Sequence, residues 1–556
     1  MQQFLSFTAS GLTSASVYAI VASGLVLTFA TTGTFNFAHG ALAMVGAFTY
    51  WQLQVAWGWP VPVALAVTVG VVGPILGVLV ARLMHGLSGT TDTVRLVASL
   101  GLLLGLLGAA QYVWDPAESR TLAPFSDGGT VTVFDVRVTH HQLLTMAVAV
   151  AVAGGLWYLL RRTRTGVAMR AAVDDPTLAV LNGARPRRSA ALAWTLGSVL
   201  AAVAGILVAP TTKLNAVNLA LLIVNAYGAA AFGRLRSLPM TFVGAIVLGV
   251  SRDYTIWLRS RLDPAVAPYL GGLSNAVPAV VLFVVLVAMP AARLRTAPPR
   301  PRERTQGAGW AGGLGLGAAA VAATALPASV SGPAALLGAG QVWGIAIIGL
   351  SMVPLIGYAG QISLAQLSFA GVGAVAYAHL GWDSPGALLW AALWAGGAGL
   401  LAALPAVRLA GIYLALATGA FALLLEQWLF LLPRISILGH DFEVFSGGNL
   451  AAGRPQVAGL DLRGDAAYFV YSAVVFAVMV LAVVAVRRSM FGLRLIAARD
   501  APAAIATTGA SAARLKLVVF AGSAAMAGVG GAVLAGARQS VTADGFGLFA
   551  GLPILL

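Results

Sequence analysis

Two polar stretches of one pattern interrupt an otherwise apolar chain, and their repetition limits the fold more than any other feature. The first reads RRTRTGVAMRAAVDDPTLAVLNGARPRR from Arg161 to Arg188, the second RRSMFGLRLIAARDAPAAIATTGASAARLK from Arg487 to Lys516. Laid over each other without a gap at an offset of 326, Gly166 meets Gly492, Asp174 meets Asp500, Pro176 meets Pro502 and Gly183 meets Gly509. Arg161 and Arg162 meet Arg487 and Arg488 in the same register. Each stretch lies between long apolar runs, so one architecture is built twice.

The apolar runs define the class. With 59% hydrophobic and 9% charged residues, the chain departs far from a soluble domain, which carries roughly a quarter charged residues. Runs of about twenty apolar residues recur, each long enough to cross a bilayer as a helix. The 66 glycines suit helices that pack in lipid through small residues. The expectation is an all-α polytopic membrane protein, made of two parallel repeats of transmembrane helices joined by a cytoplasmic linker and one extra helix.

The net charge of +15 follows from arginine in cytoplasmic loops, so nucleic acid is not an expected partner. With both polar stretches placed inside, the chain starts outside and 23 of the 33 Lys and Arg fall inside. Of the 18 acids, 12 fall outside, 5 inside, and Glu426 within a helix. The short segment Met240–Val250 is expected to lead out to a loop at 252–261. The sequence RLRTAPPRPRERTQG reads as an exposed connector. The expected organisation is a first repeat over 1–292, a linker over 293–309 and a second repeat over 310–556, with Trp310–Leu326 as the extra helix that restores orientation. On the 326 offset, Leu556 corresponds to Ala230, so the second copy is expected to be a fragment or a truncated reading frame.

The chemistry-bearing motifs are few. No phosphate loop, nucleophile elbow or HExxH occurs, and with no Cys thiolate chemistry is excluded. No enzyme activity and no cofactor are expected. His140 and His141 have no ligating neighbours and are expected at the surface of a loop. A second pair of motifs does recur: TGTFNFAHGALAMVGAF from Thr32 and AGQISLAQLSFAGVGAV from Ala359. At an offset of 327, Gly33 meets Gly360, Asn36 meets Ser363 and His39 meets Gln366. Each motif breaks an apolar run with Gly and uncharged hydrogen-bonding side chains, which a membrane tolerates where the backbone is buried in protein or lines a cavity. Asn36, His39, Gly40, Gln361, Ser363 and Gln366 are therefore candidates for a substrate pathway, with interhelical hydrogen-bond packing as the alternative. Glu426 reads either as a structural acid or as a contact for a substrate ammonium group.

The polar stretches read as short cytosolic helices, each broken by Pro and followed by Gly before re-entry. Repeated Gly, Asp and Pro are not demanded by charge bias alone, so a paired docking surface is the reading. It rests on Gly166, Arg170, Asp174, Pro176 and Gly183, and on Gly492, Arg494, Asp500, Pro502 and Gly509, with a solvated basic loop as the alternative.

FNFAHG followed by ALAMVGA resembles the first membrane subunit of the branched-chain amino acid ABC importer family. GYAGQISLAQLSFAGVGA and AGIYLALATGAF resemble the second, so the chain resembles the two fused head to tail. The resemblance implies a prokaryotic plasma (inner) membrane location and a multi-pass permease. It also implies two ATP-binding cassette ATPase subunits docked on the cytoplasmic face at the polar stretches, and an extracytoplasmic substrate-binding protein. The substrate would be a branched-chain or related small amino acid; urea or a short amide is the alternative within the family. A self-contained secondary transporter or channel, or a structural subunit of a membrane enzyme complex, is the alternative outside it. GRLRSLPMTFVGA, from Gly233, departs from the more Gly-rich segment of the family.

Overall fold

The computed structural model describes residues 2–288 and 332–555, apart from 127–128, 134, 175, 380–383, 385, 410, 438–439, 446–447, 458–459, 502–504, 506 and 508, with a few positions between 315 and 322. The linker over 293–309, nearly all of 310–326 and Pro502 lie outside the described residues. The chain forms two compact units, residues 1–285 and 286–555.

Unit 1 begins with α1 (Gln2–Thr32), α2 (His39–Trp51), α3 (Val61–Gly86) and α4 (Asp92–Val113). A hairpin follows, β1 (Thr130–Val133) with β2 (Val136–Thr139), in which Val131 faces Val138. Next come α5 (His140–Arg162), then α6 (Arg164–Asp174) and α7 (Pro176–Leu181) in the polar stretch. The unit closes with α8 (Pro186–Val208), α9 (Ala216–Ala220), α10 (Leu222–Phe232), α11 (Leu238–Arg259) and α12 (Leu273–Ala288). Unit 2 contains α13 (Pro333–Met352) with a π-helical turn over Val353–Tyr358, α14 (Gln366–His379), α15 (Ala387–Ala402) and α16 (Ile412–Gln427). It continues with α17 (Asp465–Arg488), α18 (Met490–Asp500), α19 (Ala512–Arg538) and α20 (Leu548–Leu555). Among the described residues, nine helices are long and apolar enough to cross a membrane.

The repeat holds element by element. Adding 326 to the first residues of α3, α6, α8 and α10 gives the first residues of α15, α18, α19 and α20. The same close crossing stands at the centre of each unit. A Cβ on Gly205 of α8 would lie 2.0 Å from the Ala43 carbonyl of α2, and one on Gly531 of α19 would lie 1.9 Å from the Ala370 carbonyl of α14. Only a hydrogen fits between those backbones, and small residues that admit such approach are how helices associate where both solvent and core are apolar.

α11 corrects the sequence reading. It is one helix of 22 residues that carries Arg252 and Asp253 within it, where a short pass and a loop were expected. Asp253 is buried, and the Arg252 Nη1 donates to the Tyr18 hydroxyl of α1 at 3.0 Å. A partner helix with polar groups at the right height lets charges sit inside a helix that hydropathy alone would end.

The loop ends are pinned by arginine. In unit 1 buried Arg120 lies 5.2 Å from the Trp51 ring and donates to the Asp115 carbonyl. In unit 2 buried Arg454 pairs with Asp465 at 2.8 Å and donates to the Gly536 carbonyl at 3.2 Å. Leu450 and Ala451 pair with Val541 and Ser540, which ties that loop to the end of α19.

Candidate functional site

Both breaks are built on one backbone device. Gly33 ends α1 with φ +67° and Gly360 ends the π turn with φ +66°. In each, the glycine N–H bonds the carbonyl four residues back, Phe29 at 2.8 Å and Ile356 at 3.1 Å. A left-handed residue after a helix closes its last carbonyls and turns the chain, and glycine takes that conformation without a Cβ clash. The chain then runs irregularly for a few residues into α2 or α14.

The candidate side chains sit inside these turns and are buried. His39 Nε2 donates to the Val21 carbonyl at 3.0 Å, which fixes the start of α2 against α1. Gly40 follows because a Cβ there would lie 2.1 Å from the Ala220 carbonyl. In unit 2 Gln366 takes the place of His39 and sits among buried hydroxyls. Its Nε2 donates to the Ser523 hydroxyl at 3.1 Å, and that hydroxyl donates to the Ser351 carbonyl at 2.6 Å. The Ser351 hydroxyl lies 2.6 Å from the Ile348 carbonyl and 3.2 Å from Gln366 Oε1, and shares its one hydrogen between them. Ser363 Oγ accepts from the Ala365 N–H at 3.2 Å. Asn36 and Gln361 are different: both amide atoms of each are buried without a hydrogen-bond partner among the described residues. Leaving such groups bare costs on the order of 1–3 kcal/mol apiece.

The polar stretches share a second device, which the sequence reading missed. After α5 and α17 the chain reverses through a hydroxyl residue, Thr163 or Ser489, that stands three residues before Gly166 or Gly492. Thr163 Oγ1 accepts from the Gly166 N–H at 3.1 Å, and Ser489 Oγ accepts from the Gly492 N–H at 3.2 Å. This is N-capping, in which a side-chain oxygen satisfies an otherwise orphaned first-turn donor. The glycine then packs on the end of the preceding long helix. A Cβ on Gly166 would lie 2.1 Å from the Leu159 carbonyl, and one on Gly492 would lie 2.1 Å from the Val486 carbonyl. Met169 and Leu495, matched at the same offset, are each 1% exposed and anchor the inner face. Arg164, Val167 and Arg170 in α6 face outward, as do Met490, Leu493 and Arg494 in α18. Gly183 and Gly509 take φ +81° and +74° before re-entry. Asp174 ends α6, Pro176 opens α7 and exposed Asp500 ends α18.

Two further positions have remote partners. His141 is buried rather than at the surface: its Nε2 donates to the Leu207 carbonyl at 3.0 Å and its ring stacks on Phe125 at 5.8 Å. Glu426 caps a helix start: its Oε2 accepts from the Leu548 N–H of α20 at 2.7 Å, which favours the structural reading. A carboxylate at a helix N-terminus satisfies an orphan donor and the dipole together. Glu426→Ala is expected to lose about 1 kcal/mol and to lower the thermal midpoint in detergent, while Glu426→Gln, which can still accept, recovers most of it. An uptake defect in Glu426→Gln with an unchanged midpoint would return this carboxylate to the substrate path.

The fold and the two pairs of devices define a class: a multi-pass, all-α membrane protein made of two repeats. A family model described as branched-chain amino acid transport system / permease component matches residues 7–290 and again 334–556. The chain belongs to that permease family, as two copies on one polypeptide. It is similar to the high-affinity branched-chain amino acid transport system permease protein BraD of Pseudomonas aeruginosa, 29% identical over 264 residues, 45% of this chain and 86% of that protein. It is likewise similar to LivH of Escherichia coli K12, 28% identical over 273 residues, 45% of this chain and 86% of LivH. A probable LivH of Methanocaldococcus jannaschii is 28% identical over 257 residues, 45% of this chain and 81% of that protein. No solved structure matches the chain. The protein is a multi-pass transport subunit of an ABC importer, a class that works with a separate ATPase and a substrate-binding partner.

Proposed function

We propose that this chain carries a branched-chain or related small amino acid inward across a prokaryotic inner membrane. Two ATPase subunits dock from the cytoplasmic side on α6–α7 and α18, and an extracytoplasmic binding protein delivers the substrate. The observation that carries the docking reading is the capped, glycine-locked short helix, present after the matching long helix of each unit. A solvated basic loop has no need of a fixed angle, whereas a handle that transmits force does. The outward Val167 and Leu493 stand at matched positions beside arginines, and apolar residues rimmed by charge suit a protein partner.

Within the breaks, the roles divide by their partners. His39, Gly40, Ser363 and Gln366 hold the break in place inside its own unit. Asn36 and Gln361, with unmet amide groups, are the side chains available to polar groups of a passing solute. The names of the relatives support the substrate class, and two uncharged amides suit a zwitterion as well as a neutral amide. Uptake of labelled leucine into vesicles decides the matter. Uptake is expected with the ATPases, ATP and binding protein present, and to fall to background without the ATPases. Uptake that persists without them and follows an ion gradient would make the chain a secondary transporter.

A further inference from the structure

The two short helices differ in sequence at a position that, in the second, touches its own unit. Copy two carries Arg499 where copy one carries Val173. Arg499 lies four residues after buried Leu495, so the two share the face of α18 that looks back at its own unit. Its Nη1 donates to the Gly357 carbonyl, and its Nε pairs with the neighbouring Asp500 at 2.7 Å. Gly357 lies in the π turn, near a helix end whose carbonyls lack intrahelical donors, and a guanidinium is a strong partner for such a group.

The same side chain also touches the break itself. A Cβ on Gly360 would lie 2.7 Å from Arg499 Cγ, while among the described residues nothing lies within 4 Å of the same point on Gly33. A second arginine grips from the other end of the elbow: the Arg487 guanidinium lies 5.9 Å from the ring centre of Tyr358. Copy one keeps Arg161 at the matched position but has Thr31 in place of that tyrosine. In unit 2, then, the last π turn and the left-handed glycine are held by the elbow that presents α18. The next residue after that glycine is Gln361, with its bare amide.

We propose that Arg499 is a positioning residue that ties the angle of the second short helix to the break at Gly360, so that the second docking site drives its pathway segment through a guanidinium that the first copy does not carry at the matched position. The proposal rests on the docking reading above and adds a direction to it: movement imposed on α18 is delivered to Gly357 and Gly360 through one guanidinium.

The test uses the full chain with its ATPase subunits and binding protein in proteoliposomes, reading leucine uptake and ATP hydrolysis together. In Arg499→Gln the ATPases are expected to co-purify at the wild-type ratio and hydrolysis to continue. Leucine taken up per ATP is expected to fall about tenfold, a size ordinary for coupling between sites. Arg499→Lys, which keeps a donor for Gly357 but not the planar fork, is expected to show part of that loss, and it carries the test alone if Arg499→Gln is not monodisperse. An unchanged uptake per ATP in the folded variants overturns the proposal. Loss of ATPase co-purification also overturns it, by making Arg499 a docking contact. Leucine uptake by the wild type without any ATPase is a separate result that removes the docking reading itself.

Discussion

Gly531→Leu is expected to yield no folded protein, and even Gly531→Ala should lower the thermal midpoint sharply. The reason is the identity of the atoms in the way. A Cβ at this position would lie 1.9 Å from the Ala370 carbonyl oxygen, 2.5 Å from its carbon and 2.7 Å from its Cα, all backbone of α14. A side chain could turn aside, but a helix backbone moves only as a whole. Ordinary overpacking costs about 1–3 kcal/mol, and displacing α14 from the crossing belongs with the rare losses above about 4–5 kcal/mol. Gly522 lies in the same helix with nothing among the described residues within 4 Å of its Cβ point. Gly522→Ala is thus the control, expected to be neutral or stabilising by up to about 1 kcal/mol from helix propensity. The readouts are monodispersity after detergent extraction and the unfolding midpoint. A monodisperse Gly531→Ala with the midpoint of the parent would show that the crossing is looser than described.

Gly492→Val, and its counterpart Gly166→Val, are expected to keep the membrane bundle and lose the ATPases. The Cβ clash is with the Val486 or Leu159 carbonyl at the end of the long helix, so the strain is relieved by swinging the short helix outward. Its outer face then no longer meets a partner shaped to the original angle. Removal of the cap alone, Ser489→Ala or Thr163→Ala, leaves the glycine seated and costs about 1 kcal/mol, so docking should weaken without being abolished. Co-purification of ATPase subunits with the tagged chain measures the difference, with the unfolding midpoint as the check on the bundle. ATPases retained at the wild-type ratio by a folded Gly492→Val would remove the docking role of this helix.

Much of this was legible in the sequence because the chain says it twice. The paired breaks stood out because Gly, Asn, Ser and Gln are conspicuous inside apolar runs, and the polar stretches because Gly and Pro returned at one offset. The same repetition also held Thr163 and Ser489, a hydroxyl three residues before each glycine. That signal was missed because two different residue types do one job, and only the oxygen counts. Gly205 and Gly531 also match at the offset, but among 66 glycines no count reveals which ones face a backbone. α11 was cut short because Arg252 and Asp253 break its hydropathy, and their partner Tyr18 is far away in sequence. The role of Glu426 depends on Leu548, another distant residue, and His141 was placed outside for want of Leu207. Local chemistry was readable; what remote segments bring to it was not.

The Gly531–Ala370 crossing also bears on how the chain is made. α14 has 14 residues, about 21 Å of helix at 1.5 Å per residue, against roughly 30 Å of hydrocarbon. It opens with buried Gln366 and Ser368, and its finished place is inside the bundle, against α19. Yet α19 is translated much later than α14. At about 5–20 residues per second, the ribosome leaves α14 without its main neighbour for on the order of ten seconds. During biosynthesis this short segment with a polar start is expected to wait without its main neighbour until the glycine that seats it emerges.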